Sequence, residues 1–442
     1  MPRSKQSLTS AGDNRARLLE LSADLFATQG YARVSVRDLA SRLGLTTGAI
    51  YSNFRSKGDL LAEVLDARVS EDMERSRPEM ALPEFVRQSF LRLDERATMR
   101  ALLLEAAAAA RTDASLRARL RPDVGALLER WIADYRDWQE TRHVAGSIDM
   151  DALVRALWSI ELGLGVLDAQ RGLEVAPERL AGFVGAFLES LEASEGPHTT
   201  ARPRRGSPAV PTSGAGRGTS PRKRPTPLSP LSGLRGSPKA VATQARLIET
   251  ALQLFAQQGY ATVSVRDIAR AASMTTGSIY GNFANKANLL VEVIEAHIAQ
   301  DLEQLPPSLL ESSSPAGLVE FNFAAFPQRR ELRALIVEGA AAARSDSELR
   351  RRLQELQHRH LGAWADGLQE LVTAHPVPPR VDTTTAVTVA WCAELGLGLM
   401  EALDLPIPSA AQLAGTFGTM FRVAGLGAPS EAATLARRKA AR

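Results

Sequence analysis

Residues 17–68 read RLLELSADLFATQGYARVSVRDLASRLGLTTGAIYSNFRSKGDLLAEVLDAR. Leu18, Leu21, Leu25 and Phe26 fall on one face of a helix that should stop at Gly30, the residue type that most readily turns left-handed past a helix end. Ser35 opens an S-x-x-D pattern with Asp38, the sign of a capping box, and starts a second helix with Val36, Leu39, Ala40 and Leu43 inward. A tight turn at Gly44–Leu45 follows. Thr46 or Thr47 then caps a short third helix with Ile50 and Phe54 inward, and a long fourth helix is expected from about Gly58 to Met73. No stretch of the chain sustains the period-2 alternation of strands, so the fold class is all-α.

The same stretch returns at 246–297 as RLIETALQLFAQQGYATVSVRDIARAASMTTGSIYGNFANKANLLVEVIEAH, without a gap. LLLEAAAAARTDASLRARL (102–120) also matches LIVEGAAAARSDSELRRRL (335–353), and WSIELGLGVLDA (158–169) matches WCAELGLGLMEA (391–402). The chain is a duplication whose period is far too long for a solenoid and suits two whole units side by side. The expected division is a head at 12–72, a helical body at 73–195, a linker at 196–240, a second head at 241–301, a second body at 302–427 and a basic tail at 428–442. The linker holds nine of the 24 prolines, nine Arg or Lys and no acid. It has too little apolar surface to offset ordering entropy and is expected to be disordered, with an r.m.s. span of roughly 37 Å for a flexible coil.

Composition excludes several classes. Apolar residues make up 45% and charged residues 23% of the 442, as in ordinary globular proteins able to bury cores. One cysteine, Cys392, rules out an internal disulfide framework and any multi-cysteine metal centre. The N-terminus lacks the apolar core of a secretory signal, and apolar runs are broken by charge before about 18 residues, so no membrane span is expected. The net charge of +3 is owed to the linker. No metal site, cofactor or catalytic set is expected: G-x-S-x-G, Walker, H-E-x-x-H and C-x-x-C patterns are missing from the sequence.

Two short helices joined by a glycine turn after a longer helix form a helix-turn-helix, whose second helix enters the major groove of DNA. With Ile50 and Phe54 inward, Thr47, Gly48, Tyr51, Ser52 and Asn53 are left outward or at the helix start. Tyr51 offers a rigid hydroxyl for a phosphate, Lys57 a mobile cation, and Asn53 an amide for a base edge or the backbone. At these residues, through G-Y-x-x-V-S-V-R-D-[LI]-A, T-T-G-x-[IL]-Y-x-N-F and K-x-x-L-L, the chain resembles the tetracycline-repressor (TetR) family, about 50 residues at a time and twice.

That resemblance implies a DNA-binding transcriptional regulator, usually a repressor, with no enzymatic activity. It implies bodies that pair through a four-helix bundle, a small-molecule inducer of unknown identity, and a cytoplasmic, nucleoid-associated protein. The expected partner is double-stranded DNA with a quasi-palindromic operator, and a tether that supplies an effective concentration near millimolar predicts that the two bodies of one chain pair internally, leaving further homodimerisation open. Carried over by position, the DNA-binding residues of the first head are Ser35, Thr46, Thr47, Gly48, Ala49, Tyr51, Ser52, Asn53 and Lys57. Those of the second are Ser264, Thr275, Thr276, Gly277, Ser278, Tyr280, Gly281, Asn282 and Lys286. Tyr51, Lys57, Tyr280 and Lys286 are expected on phosphates. The second head departs where Arg33, Arg42, Gly44 and Arg55 become Thr262, Ala271, Ser273 and Ala284. Residues 1–68 hold ten basic against seven acidic residues, whereas 241–297 hold four of each. The first head is therefore expected to bind DNA more strongly, and Ser273 to cost up to about 1 kcal/mol if its position needs positive φ.

Other features allow two readings each. Glu105, Glu338, Glu161 and Glu394 either face a ligand cavity or are buried carboxylates paired with arginine, and the second reading is favoured because buried acids are usually paired. Gly163 and Gly165, with Gly396 and Gly398, are fragments of a phosphate-loop pattern on helices and more naturally permit close helix packing between bodies. His358 and His360 lie at i, i+2 on different faces, which disfavours a metal. Trp131, Tyr135, Trp138 and Trp158 are expected to fill core rather than line a pocket. Arg222-Lys223-Arg224 either adds nonspecific phosphate contacts or serves as a basic address tag, and more often such a run simply keeps a tether solvated and extended. The competing class is an all-α ligand carrier or enzyme with vestigial heads.

Overall fold

The computed structural model describes residues 5–75, 82–141, 149–193, 237–303, 315–373 and 381–426. Most of the expected linker, with Arg222-Lys223-Arg224, and the expected tail lie outside these residues. The described residues form helices and no strand.

In the first unit α1 (Lys5–Gln29), α2 (Val36–Leu43), α3 (Thr47–Tyr51) and the start of α4 (Lys57–Arg75) make the head. The body adds α5 (Leu82–Leu91), α6 (Ala97–Thr112), α7 (Ala114–Thr141), α8 (Met150–Gln170) and α9 (Pro177–Ala193). The second unit repeats the order with α10 (Pro238–Gln258), α11 (Val265–Ala271), α12 (Thr276–Tyr280) and α13 (Lys286–Glu303). Its body holds α14 (Pro315–Ala324), α15 (Arg330–Ala343), α16 (Ser347–Thr373), α17 (Thr383–Ala402) and α18 (Ala410–Phe421). Helix α10 starts inside the expected linker, because Ser237 caps it and Pro238 takes the first position, where a missing N–H costs nothing.

The two bodies meet most extensively through α8 and α17. Both are apolar nearly all round, as helices buried on every side must be. Helix α17 is long and apolar enough to cross a membrane, but 78% of it is buried inside the protein, so burial against α8 accounts for its composition. The close approach depends on glycine: a Cβ on Gly163 would lie 1.8 Å from the carbonyl oxygen of Cys392, and one on Gly396 would lie 1.8 Å from that of Ser159. The packing reading of these glycines therefore holds. Helix α18 touches α8 and α9 touches α17, with Phe183 edge-on to Phe421 at 5.5 Å, so four helices form the seam. The apolar core runs continuously through both units.

All four singled-out glutamates are paired. Glu161 meets Arg96 at 2.6 Å, and Glu394 meets Arg329 and Arg333, each at 2.9 Å. Glu105 and Glu338 take arginines from the opposite unit, Arg344 at 3.2 Å and Arg111 at 2.6 Å. Tyr135, Trp138 and Trp158 are buried, and Trp131 stacks on Phe85.

Candidate nucleic-acid interface

Each helix-turn-helix is built by local hydrogen bonds that the sequence encodes. Ser35 Oγ accepts the N–H of Asp38 at 3.1 Å, and Asp38 returns a carboxylate to the N–H of Ser35 at 3.2 Å. Ser264 and Asp267 repeat the box at 3.2 and 3.0 Å. The serine hydroxyls and N–H groups hold both carboxyls below the usual range. These boxes fix where α2 and α11 begin.

The turn that follows needs a left-handed residue. Gly44 has φ +65°, and the N–H of Leu45 reaches back to the carbonyl of Ala40 at 2.8 Å. Ser273 occupies the same conformation at φ +55°, with the equivalent bond from Met274 to Ala269 at 2.9 Å. The second head thus keeps the turn with a residue that resists it. Thr46, rather than Thr47, caps α3 by accepting the N–H of Ala49 at 3.1 Å, and Thr275 caps α12 through Ser278 at 3.2 Å.

Ile50 and Phe54, like Ile279 and Phe283, anchor the recognition helices inward. Thr47, Gly48, Tyr51, Ser52 and Asn53 are exposed, with Ala49 half-buried at the edge. In the second head Thr276, Gly277, Tyr280 and Gly281 are exposed, and Ser278 and Asn282 half-buried. Tyr51 and Tyr280, 53% and 58% exposed, are the large apolar side chains left in solvent among the described residues. Asn53 and Asn282 use their amide N–H to close the end of the recognition helix, on the carbonyls of Ala49 at 2.9 Å and Ser278 at 2.7 Å.

The lysines differ from expectation. Lys57 is a half-buried clamp: its ammonium donates to the carbonyls of Tyr31 at 2.7 Å and Val34 at 3.1 Å, 4.1 Å from the centre of the Tyr31 ring. Lys286 does the same to Tyr260 at 2.8 Å and Val263 at 3.0 Å. Burial lowers both lysine pKa values, opposed by Glu105 and Glu338 respectively. The loop between the first two head helices leaves these carbonyls short of partners, and the lysine at the start of α4 or α13 satisfies them. Neither is the mobile cation that the sequence suggested. Exposed cations near the helix-turn-helix in sequence include Arg37 and Arg42 on α2 and Arg55 after α3 in the first head, and Arg266 and Arg270 on α11 in the second. Arg33 turns instead to the second unit, donating to the carbonyl of Ser345 at 2.7 Å.

A cavity of about 10 Å³ lies between Ile298, Leu356 and His360, room for about one water. His360 is buried, its pKa pushed down to about 4 by burial, and His358 pairs with Glu174 at 2.8 Å. Among the described residues no group of three or more His, Cys, Asp or Glu could hold a metal.

Residues 18–64 and 247–293 each match the family model described as bacterial regulatory proteins, tetR family. The chain is 37% identical over 94 residues to the probable acrEF/envCD operon repressor of Escherichia coli (strain K12), which covers 19% of this chain and 43% of that one. It is 41% identical over 51 residues to the HTH-type transcriptional repressor KstR2 of Mycolicibacterium smegmatis, covering 12% and 25%. The matches thus span less than half of either relative. Among solved structures, Salmonella enterica GusR aligns over 43% of this chain and 98% of its own, at 21% identity and a TM-score of 0.36.

Proposed function

The chain belongs to the tetR family of bacterial regulatory proteins and carries two of its heads, and from that premise we propose that it is a ligand-responsive repressor acting as its own dimer on a quasi-palindromic operator. The observation that carries this reading is the pair of outward tyrosines, Tyr51 and Tyr280, at equivalent places on two recognition helices in one chain. In the same chain the bodies pack on each other through α8 and α17.

Each unit divides into a head and a body, with the linker joining them. Tyr51 and Tyr280 hold phosphates through their hydroxyls. Thr47, Gly48, Ala49, Ser52 and Asn53 face base edges or backbone, as do Thr276, Gly277, Ser278, Gly281 and Asn282. Ser35, Thr46, Ser264 and Thr275 set the helix starts, and Lys57 and Lys286 hold the loop behind the recognition helix. A tether of this length supplies an effective concentration near millimolar, so internal pairing outcompetes pairing between chains at ordinary protein concentrations. Because Ser52, Arg55 and Ala49 stand opposite Gly281, Ala284 and Ser278, the two halves of the operator are not equivalent.

One named relative is a probable operon repressor and another a transcriptional repressor, and occlusion of a promoter needs no further chemistry. An inducer acts by preferring one conformation of a body over the DNA-binding one. The enzyme reading has no catalytic set to stand on.

The test is binding of the whole chain to its promoter-proximal DNA over a salt series, beside Tyr51→Ala and Tyr280→Ala. Specific binding weakened by either substitution is expected. Binding indifferent to both would move attention from the heads to the bodies.

A further inference from the structure

Two polar junctions cross from one unit to the other at the base of the heads. In the first, Arg111, at the end of α6, places Nε 2.6 Å from Oε1 of Glu338 in α15. Its Nη2 donates to the carbonyl of Ala256 in α10 at 2.9 Å. The other oxygen of Glu338 accepts the backbone N–H of Tyr260, just past the end of α10. Lys286 clamps the far side of that loop through the carbonyls of Tyr260 and Val263. Polar contacts therefore run unbroken from the first body to the loop that opens the second helix-turn-helix.

The second junction mirrors this with different fastening. Glu105 accepts the N–H of Tyr31 at 2.8 Å, and Lys57 clamps Tyr31 and Val34. Arg344 of the second unit sits 3.2 Å from Glu105, but the Arg344 Nε and the Glu105 Oε1 lack the alignment of a hydrogen bond although both are buried. Arg33 adds one bond, to the carbonyl of Ser345.

We propose that Arg111 and Arg344 are positioning residues for DNA recognition: each holds the opposite unit's head through the body glutamate on which that head's loop rests, firmly for the second head and loosely for the first. The spacing of the recognition helices is then set across the seam between bodies. A purely stabilising role fits less well, because a buried ion pair gives back in attraction little more than it loses in hydration. The recognition part rests on the proposed function, whereas the coupling of head spacing stands without it.

The looser junction also responds to protons. Burial pushes the Glu105 carboxyl up to about 7, opposed by the Tyr31 N–H and by the charges of Arg344 and Lys57. The groups facing the pair are Lys57, Tyr31 with its phenol pushed up to about 12, and, behind Arg344, Arg350 and Asp168. As pH falls through about 7, Glu105 gains a proton while it stays buried, Arg344 keeps its own charge but loses the anion that attracts it, and the first head is loosened from the second unit without Glu105 entering water. Glu338 is raised by burial too, but Arg111 opposes that first and adds its own bond to Ala256.

The experiment places nitroxide labels on the full chain at Ser41→Cys and Arg270→Cys, equivalent exposed positions on α2 and α11, leaving the buried Cys392 untouched. Pulsed electron resonance at pH 8.5 and 6.0 then reads the head-to-head distance. The expected result is a broader distribution for wild type at pH 6.0 than at 8.5. Glu105→Gln and Arg344→Gln should give the broad form at both pH values, Arg344→Lys should restore part of the narrow form, and Arg111→Gln should broaden it as well. Affinity for a duplex selected by the wild-type chain from a random-sequence pool should fall at least fivefold in Arg344→Gln at pH 8.5 and lose its pH dependence. Distances in Glu105→Gln and Arg344→Gln that superimpose on wild type at both pH values would overturn the proposal. A pool that yields no bound duplex removes the DNA reading, and the distances then decide the coupling alone.

Discussion

The first and second heads share caps, turn and inward anchors, yet they differ in charge and in how the opposite body grips them. The first has Arg37 and Arg42 on α2 and Arg55 after α3 in solvent, and a loose junction at Glu105. The second has fewer free cations, a strained serine in its turn and a junction in which Arg111 makes two aligned bonds. In a two-fold homodimer every interface residue must serve both halves at once. A single chain escapes that constraint. Arg121 pairs with Asp404 at 3.4 Å, while the equivalent Gln354 donates to the carbonyl of Arg171 at 2.9 Å. The seam keeps its shape and lets its chemistry diverge.

The shape itself should resist change equally on both sides. Gly163→Ala and Gly396→Ala each put a methyl group within 1.8 Å of a carbonyl oxygen on the facing helix. Each should cost about 3 kcal/mol or more, because a packed helix pair cannot open locally. Thermal unfolding of the two variants checks this, and a large difference between them would break the symmetric half of the comparison.

Charge should sort the heads next. Ala271→Arg with Ala284→Arg, restoring two cations to the second head, should steepen the slope of log affinity against log salt by about 2, and Arg42→Ala with Arg55→Ala should flatten it by as much. Fluorescence titrations at several salt concentrations read both. No change from either pair would mean that these arginines never meet phosphate.

The turn gives a smaller effect of opposite sign in the two heads. Ser273→Gly should stabilise the chain by up to about 1 kcal/mol, and Gly44→Ser should cost about the same, since a Cβ at Gly44 meets nothing within 4 Å and only the backbone conformation is at issue. Denaturant midpoints of the two variants test this directly.

The smallest effect concerns the loose junction. Folding raises the Glu105 pKa, so the stability this group contributes is complete below its ordinary value and is lost as pH rises through about 7. Glu105→Gln combined with Arg344→Gln removes that decline and leaves neither charge buried alone. The double variant should stay within about 1 kcal/mol of wild type and gain on it as pH rises from 4.5 to 8. A steady loss of stability at pH 8 would show that the pair holds the fold together rather than positioning a head.

Most of the head was legible because its determinants are local. Ser35 and Asp38, the glycine turn, the threonine cap, and Ile50 with Phe54 lie within a few residues of their partners. Even the strain at Ser273 followed from aligning it with Gly44. The seam was legible in part, through the small residues of the E-L-G-L-G stretches. Lys57 was misread as mobile because its acceptors, the carbonyls of Tyr31 and Val34, are backbone atoms that no sequence motif displays. Arg111 and Arg344 show no role in a local motif because their partners lie in the other unit. One signal was present: in both copies the glutamate and the arginine stand six residues apart, about 240° around a helix, so they cannot pair with each other and must each look to another helix.

The central claim is that one chain supplies both halves of the reader. Light scattering on the complex with a duplex selected by the full chain measures it most directly. One 47.6 kDa chain per duplex is the predicted result. Two chains per duplex, each lending only its first head, would contradict it.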